Sequence, residues 1–199
     1  IVIGLGEDGL DALLAAFRAL VDSAEVLLGG ERHLAMIPDS VAERLTWRTP
    51  LVDSMADIEA HRGKCVVVLA TGDPMHYGIG VTLARHFAPE EMLILPTAGA
   101  LSLVCARLRW PVAEVECLTL HGRPLETLRA YLAPGHRLVI LSQDGTTPAA
   151  VAAELVAAGY GASEISVFEH MVGDEERRLD GRADGWPAQK IADLNSIAV

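Results

Sequence analysis

The chain has 199 residues, half of them hydrophobic but only 5% aromatic, and a formal net charge of −11. That hydrophobic content excludes a disordered chain and predicts a core of Ala, Val, Leu and Ile. The negative balance excludes a general nucleic-acid binder, which needs a positive field to release counterions, and disfavours an anionic membrane surface. Cys65, Cys105 and Cys117 are far apart, without zinc-ligand spacing and odd in number, so they read as reduced thiols of a cytoplasmic protein with no bound metal. No apolar run approaches the roughly 20 residues that span a bilayer. The chain opens on an apolar segment rather than a signal peptide, and its first and last strands read as clipped, so further residues are expected before Ile1 and after Val199.

Short apolar runs alternate with helical patterns. Residues 1–5 read as a strand, 10–21 as an amphipathic helix, and 26–28 as a short strand ending in Gly29-Gly30. Residues 31–37 suit a helical turn and 52–61 a helix. The uninterrupted apolar run 65–70 has the character of a buried parallel strand. A helix at 79–87, a strand at 92–95 and a helix at 100–108 follow. The pattern pauses at Trp110-Pro111, which sets a lobe boundary between residues 1–112 and 113–199. Beyond it come strands at 115–120 and 137–141 around a helix at 125–132. A helix at 148–158 ends at Gly159, a natural C-cap. Strands at 165–169, 176–179 and 194–199 complete the chain. This alternation predicts an α/β protein with helices on the faces of a parallel sheet.

Three glycine-rich loops stand between a strand and a helix. Gly4-Leu5-Gly6-Glu7-Asp8-Gly9 fits G-x-G-x-x-G. It suits either a dinucleotide turn or a plain structural turn, and Glu7 and Asp8 would repel a pyrophosphate. The loop Thr71-Gly72-Asp73-Pro74-Met75-His76-Tyr77-Gly78 follows the most apolar strand, where α/β sheets bind ligands. Asp73 is either an acceptor for a ligand or the side chain of an Asx turn. Pro96-Thr97-Ala98-Gly99-Ala100-Leu101-Ser102 is rich in small residues, which suits a flat ligand or tight helix packing.

The strings GLGEDG at 4–9, GGERH at 29–33, ATGDPMHYGIG at 70–80, LSLVCARLRWPVAEVECLTLHGRP at 101–124 and LSQDGTTPAAV at 141–151 carry a resemblance over essentially the whole chain. The chain resembles the methylating domain of the precorrin-6Y C5,15-methyltransferase family, within the tetrapyrrole methylases. The resemblance implies a two-lobed tetrapyrrole methylase fold, that of the class III S-adenosyl-L-methionine (SAM) methyltransferases. Its first lobe would carry a mostly parallel sheet and its second a mixed one, with SAM folded between them. It implies a homodimer and methyl transfer to C5 of precorrin-6Y, or of its cobalt-bearing counterpart, in cobalamin biosynthesis. It also implies a separate or fused domain, after Val199, that decarboxylates the substrate and methylates C15. The third loop departs from the family's usual serine-containing pattern at Gly99, which favours a main-chain contact there, and Arg109 stands where a glycine is common.

The resemblance assigns the methyl donor to Leu5, Gly72, Asp73, Met75, His76, Gly99, Ala100 and Leu101, and to Leu141, Ser142, His170 and Met171 after strands of the second lobe. A macrocycle carrying several carboxylates calls for cations, and Arg32, His33, His121 and Arg123, each after a strand, are the candidates. For Arg177 and Arg178 local acidic partners are the better reading. Methyl transfer from a sulfonium needs alignment rather than a nucleophilic side chain, and no triad is evident, so no catalytic residue is assigned. Other readings stay open: a tetrapyrrole methylase acting at another carbon, a nucleotide-binding oxidoreductase, or a module that only positions a partner.

Overall fold

The opening Val-Ile-Gly-Leu forms strand β1 (Val2–Leu5), every residue of it buried, in the computed structural model, which describes residues 1–38 and 41–199. Strands β2 (Val26–Gly29), β3 (Glu43–Thr46), β4 (Val66–Thr71) and β5 (Ile94–Leu95) join it in a parallel sheet of order β3-β2-β4-β1-β5. Successive residues of the central strands point to opposite faces, as the pleat requires. Ile3, Leu5, Leu27, Val67 and Leu69 meet Leu10, Leu13, Val21 and Leu34 on one face. Val2, Leu28, Val68 and Ala70 meet Met55 and Leu83 on the other. A slip of one residue would exchange the two sets, so two-sided burial holds the register. Helices α1 (Ala15–Asp22) and α2 (Glu31–Ala35) cover the first face, and α3 (Asp53–Ala60) and α4 (Ile79–Ala84) the second.

The contacts divide the chain between Gly99 and Ala100, ahead of the Trp110-Pro111 pause. The second unit, Ala100–Val199, holds β6 (Val115–Thr119), β7 (Arg137–Leu141), β8 (Glu164–Glu169), β9 (Arg177–Arg182) and β10 (Asn195–Ala198) in the order β6-β7-β10-β8-β9. This sheet is mixed: β6 and β7 are parallel, while β10 runs antiparallel to β7 and β8. Helix α5 (Ala100–Leu108) brings Val104, with Leu101, Leu108 and Trp110, against Val139, Phe168 and Ala198 on one face. Helix α6 (Thr147–Ala157) packs Val151 and Leu155 against Leu138, Ile140, Val167 and Ile197 on the other. Gly159, at φ +88°, ends α6 as expected, with the Tyr160 N–H reaching the Leu155 carbonyl and the Gly159 N–H that of Val156.

Three local readings change. The helix expected over 10–21 is a 3-10 turn at Gly9–Ala12 and then α1, broken where Leu13 and Leu14 are extended. The break lets Leu10 and Leu13 bury beside Val21, so packing overrides the continuous helical period. The helix expected over 125–132 is a 3-10 helix, Leu125–Tyr131, anchored by fully buried Leu128. Strand β3 was unforeseen: Glu-Arg-Leu-Thr is an exposed edge with almost no apolar signal. No helix among the described residues is long and apolar enough to cross a membrane.

Candidate functional site

Neighbouring strands β1 and β4 send their connections to opposite faces of the first sheet, and it is at the carboxyl ends of such a pair that open α/β sheets bind ligands. The three glycine-rich loops meet there. The Gly72 N–H donates to the Leu5 carbonyl at 2.9 Å, and the Thr97 N–H and hydroxyl both donate to the Gly72 carbonyl at 3.1 and 3.2 Å. A Cβ on Gly4 would lie 1.8 Å from the Gly72 carbonyl oxygen, and one on Gly72, at φ +56°, 2.8 Å from the Gly99 Cα. A Cβ on Gly99 would sit 3.3 Å from the Asp73 nitrogen. Leu5, Gly72, Asp73 and Gly99 are therefore brought together, and what the glycines serve is loop-on-loop packing.

The Asp73 side chain builds an Asx turn, its Oδ1 accepting the Met75 N–H at 2.8 Å. Pro74 is buried beneath Gly78 and Gly80, where added Cβ atoms would fall 2.6 and 2.7 Å from its carbonyl oxygen. The same turn pushes Met75 and Tyr77 outward, 46% and 44% exposed, and leaves Tyr77 at φ +56°. Two large apolar side chains held in solvent beside an acid suit a ligand with apolar and polar parts. His76 stands between them, its ring 4.9 Å from that of Tyr77.

A polar cluster lies beside this loop. Arg32, at the start of α2, pairs with Glu7 from the first loop and donates to the Thr71 hydroxyl at 3.0 Å. His33 Nε2 lies 3.0 Å from that same hydroxyl. His33 meets both Arg32 and Thr71 through Nε2, and its other ring nitrogen is Nδ1. That Nδ1 is buried and finds no partner among the described residues. Burial, then the neighbouring Arg32 charge, pushes the His33 pKa down to about 4, with Glu7 opposing. His33 is thus neutral near pH 7. Arg32 follows β2 and already holds a carboxylate of its own chain.

In the second unit, β6, β7 and β8 all end at one edge, as the pairings Thr119–Leu141, Leu141–Ser196 and Glu169–Asn195 show. His121 and Arg123 follow β6 and are exposed; Leu141 and Ser142 end β7; His170 and Met171 end β8. Side chains brace these loops. The Ser142 hydroxyl donates to Asn195 Oδ1 at 2.5 Å, and the buried Asn195 amide donates to the carbonyls of Ala192, at 2.8 Å, and Asp144, at 3.2 Å. The Asp144 carboxylate takes the Thr146 hydroxyl and N–H, which hold its pKa below the ordinary value. Ala100 and Leu101 open α5, with Leu101 packed against the sheet beside Met171.

Several participants escaped the sequence reading. The sequence marks Glu7 only as a repulsive carboxylate and Thr71 only as the start of its loop, and it gives no signal for Asn195. Arg177 and Arg178 were expected to find acids nearby in sequence. Arg178 pairs with Asp180 at 2.7 Å, but Arg177 reaches across the hairpin to Glu169, and Glu176 goes to Arg107. Partners 69 residues apart, as Arg107 and Glu176 are, leave no spacing signal.

Residues 1–185 match the model of the tetrapyrrole (corrin/porphyrin) methylases. A precorrin-6Y C(5,15)-methyltransferase [decarboxylating] of Sinorhizobium sp. is 42% identical over 199 residues, which is 100% of this chain and 48% of that protein. The chain thus spans about half the length of the curated relatives of this type that it matches. A cobalt-precorrin-7 C(5)-methyltransferase of Salmonella typhimurium is 33% identical over 176 residues, covering 88% of this chain and 87% of that one. The crystal structure of a Thermus thermophilus uroporphyrin-III C-methyltransferase, complexed with S-adenosylhomocysteine, superposes with a TM-score of 0.71 at 22% identity, covering 99% of this chain and 94% of that one. With its parallel first sheet, its mixed second sheet and a family match over nearly its whole length, the chain belongs to the tetrapyrrole methylases.

Proposed function

We propose that this chain binds SAM and methylates C5 of a precorrin, with or without cobalt, in cobalamin biosynthesis. The observation that carries the reading is the convergence of the loops after β1, β4 and β5 on Gly4, Gly72 and Gly99, with Asp73, Met75 and Tyr77 presented at its rim. The relatives' names supply the reaction and its position. The dinucleotide alternative loses ground to the tetrapyrrole methylase match, which covers residues 1–185.

SAM, when bound, supplies an activated methyl group on a sulfonium. The chain has to align a carbon nucleophile and exclude water. Leu5, Gly72, Asp73, Met75, His76 and Gly99 are the proposed donor contacts of the first unit. The resemblance adds Ala100, Leu101, Leu141, Ser142, His170 and Met171 from the second. Arg32, His33, His121 and Arg123 are proposed for the substrate's carboxylates, and Arg32 would share its guanidinium between Glu7 and the substrate. A cytoplasmic homodimer that works with a C15-methylating decarboxylase domain completes the reading.

Isothermal titration with S-adenosylhomocysteine tests it. Asp73→Asn keeps the Asx turn but removes the charge, so it separates a ligand contact from a turn. It is expected to weaken binding about tenfold, the worth of a charged hydrogen bond. Unchanged affinity removes Asp73 from the site, and a wild-type chain that binds NAD but not S-adenosylhomocysteine defeats the whole reading.

A further inference from the structure

The turn after β8 is strained. His170 has φ +45° and Val172 φ +66°, and a β-branched residue in the left-handed region is a true outlier. Its own backbone gives only part of the restraint: the Gly173 N–H donates to the His170 carbonyl at 2.9 Å, and the His170 N–H to that of Leu194 at 3.2 Å. The rest comes from Glu176, whose Oε2 accepts the Val172 N–H at 2.7 Å. Glu176 is in turn held by Arg107 of α5, which donates through Nε to Oε1 and through Nη2 to Oε2, the latter at 2.5 Å. The forked pair is only 25% and 32% exposed, so solvent screens it less than an open surface pair. The bonds from Arg107 hold the Glu176 carboxyl below its ordinary pKa, in keeping with that geometry.

Arg107 also ties back to its own helix, donating to the Leu103 carbonyl at 3.3 Å. Helix α5 begins with Ala100 and Leu101, and the strained turn carries His170 and Met171. One ion pair therefore joins two segments that the proposed function assigns to the methyl donor. We propose that Arg107 and Glu176 are positioning residues for the donor site. They hold a strained backbone that sets His170 and Met171, and they lock that turn to the helix bearing Ala100 and Leu101. The inference rests on the donor reading given above.

The test uses S-adenosylhomocysteine titration together with thermal unfolding. Glu176→Ala is expected to raise the Kd about tenfold. Glycine adopts the left-handed region without penalty, so adding Val172→Gly to Glu176→Ala should bring the Kd back to within about threefold of wild type while the melting temperature stays lowered. A general loss of stability would not be rescued in this way. Unchanged affinity in Glu176→Ala, or a double variant as weak as the single one, overturns the inference. Should Glu176→Ala fail to fold, Arg107→Gln, which leaves Val172 paired with Glu176, is expected to weaken binding about threefold, and an unchanged Kd there overturns it as well. A wild-type chain that takes up no S-adenosylhomocysteine brings down the donor reading and this inference with it, whereas wild-type binding with an indifferent Glu176→Ala brings down the inference alone.

Discussion

The carboxyl edges of the two sheets hold their loops by different means. In the first, main chain lies directly on main chain: Gly4 against Gly72, Gly72 against Gly99, Gly99 against Asp73. In the second, side chains do the bracing: Ser142 through Asn195 to the carbonyls of Ala192 and Asp144, Arg177 through Glu169 to the Ala192 N–H, and Arg107 through Glu176 to Val172. Backbone packing leaves no room to give, so the first edge should respond to one added methyl as an all-or-none change. Side-chain bracing should respond in steps, one hydrogen bond at a time.

The largest effect expected of that contrast is Gly4→Ala. Its Cβ would enter the Gly72 carbonyl and crowd the Thr97 nitrogen, and these two loop residues are backbone atoms hydrogen-bonded to each other, so neither steps aside without breaking that bond. The cost should be about 3 kcal/mol or more, at the upper end for overpacking. Urea unfolding measures it, and a midpoint near wild type would mean that the loops are not held backbone to backbone.

Glu169→Gln is the matching lesion at the second edge. Glu169 is 2% exposed and accepts from Arg177 and, at 2.6 Å, from the Ala192 N–H. The expected loss at neutral pH is about 1–3 kcal/mol, the range for a charged hydrogen bond. The bonds from Arg177, with that from Ala192, depress the Glu169 pKa against the opposing effect of burial. A carboxylate with a depressed folded pKa contributes stability that is present above its unfolded pKa and is lost as pH falls through the folded one. The wild type should therefore lose stability in acid more steeply than Glu169→Gln. Parallel acid branches would show that Glu169 is not ionised in the folded chain.

At neutral pH the smallest effect belongs to His33, whose pKa is pushed to about 4 from an ordinary 6.5. Between these values the unfolded chain binds the proton that the folded chain refuses, so stability is lost as pH falls through this window. Ring-proton NMR should give a midpoint near 4, and Arg32→Met should raise it by removing the repelling charge. A midpoint near 6.5 would mean that the Glu7–Arg32–His33–Thr71 cluster does not form in solution.

Much of the fold was legible because its signals are local. The buried run of β4, the alternation of strand and helix and the glycine stop after α6 each follow from neighbouring residues, and the motif strings pointed to the family. The meeting of the three glycine-rich loops was legible too, since loops after parallel strands gather at one edge whatever their side chains. What the sequence left open at Asp73, ligand acceptor or Asx turn, the structure answers in part by using Oδ1 for the turn. Only the tertiary structure could pair Arg32 with Glu7, Ser142 with Asn195 and Arg107 with Glu176. It alone could also show that Gly4, Gly72 and Gly99 are small because of one another. Each of those contacts joins residues far apart in the chain, and partners chosen by the closing of a sheet leave no period or spacing in the sequence to read.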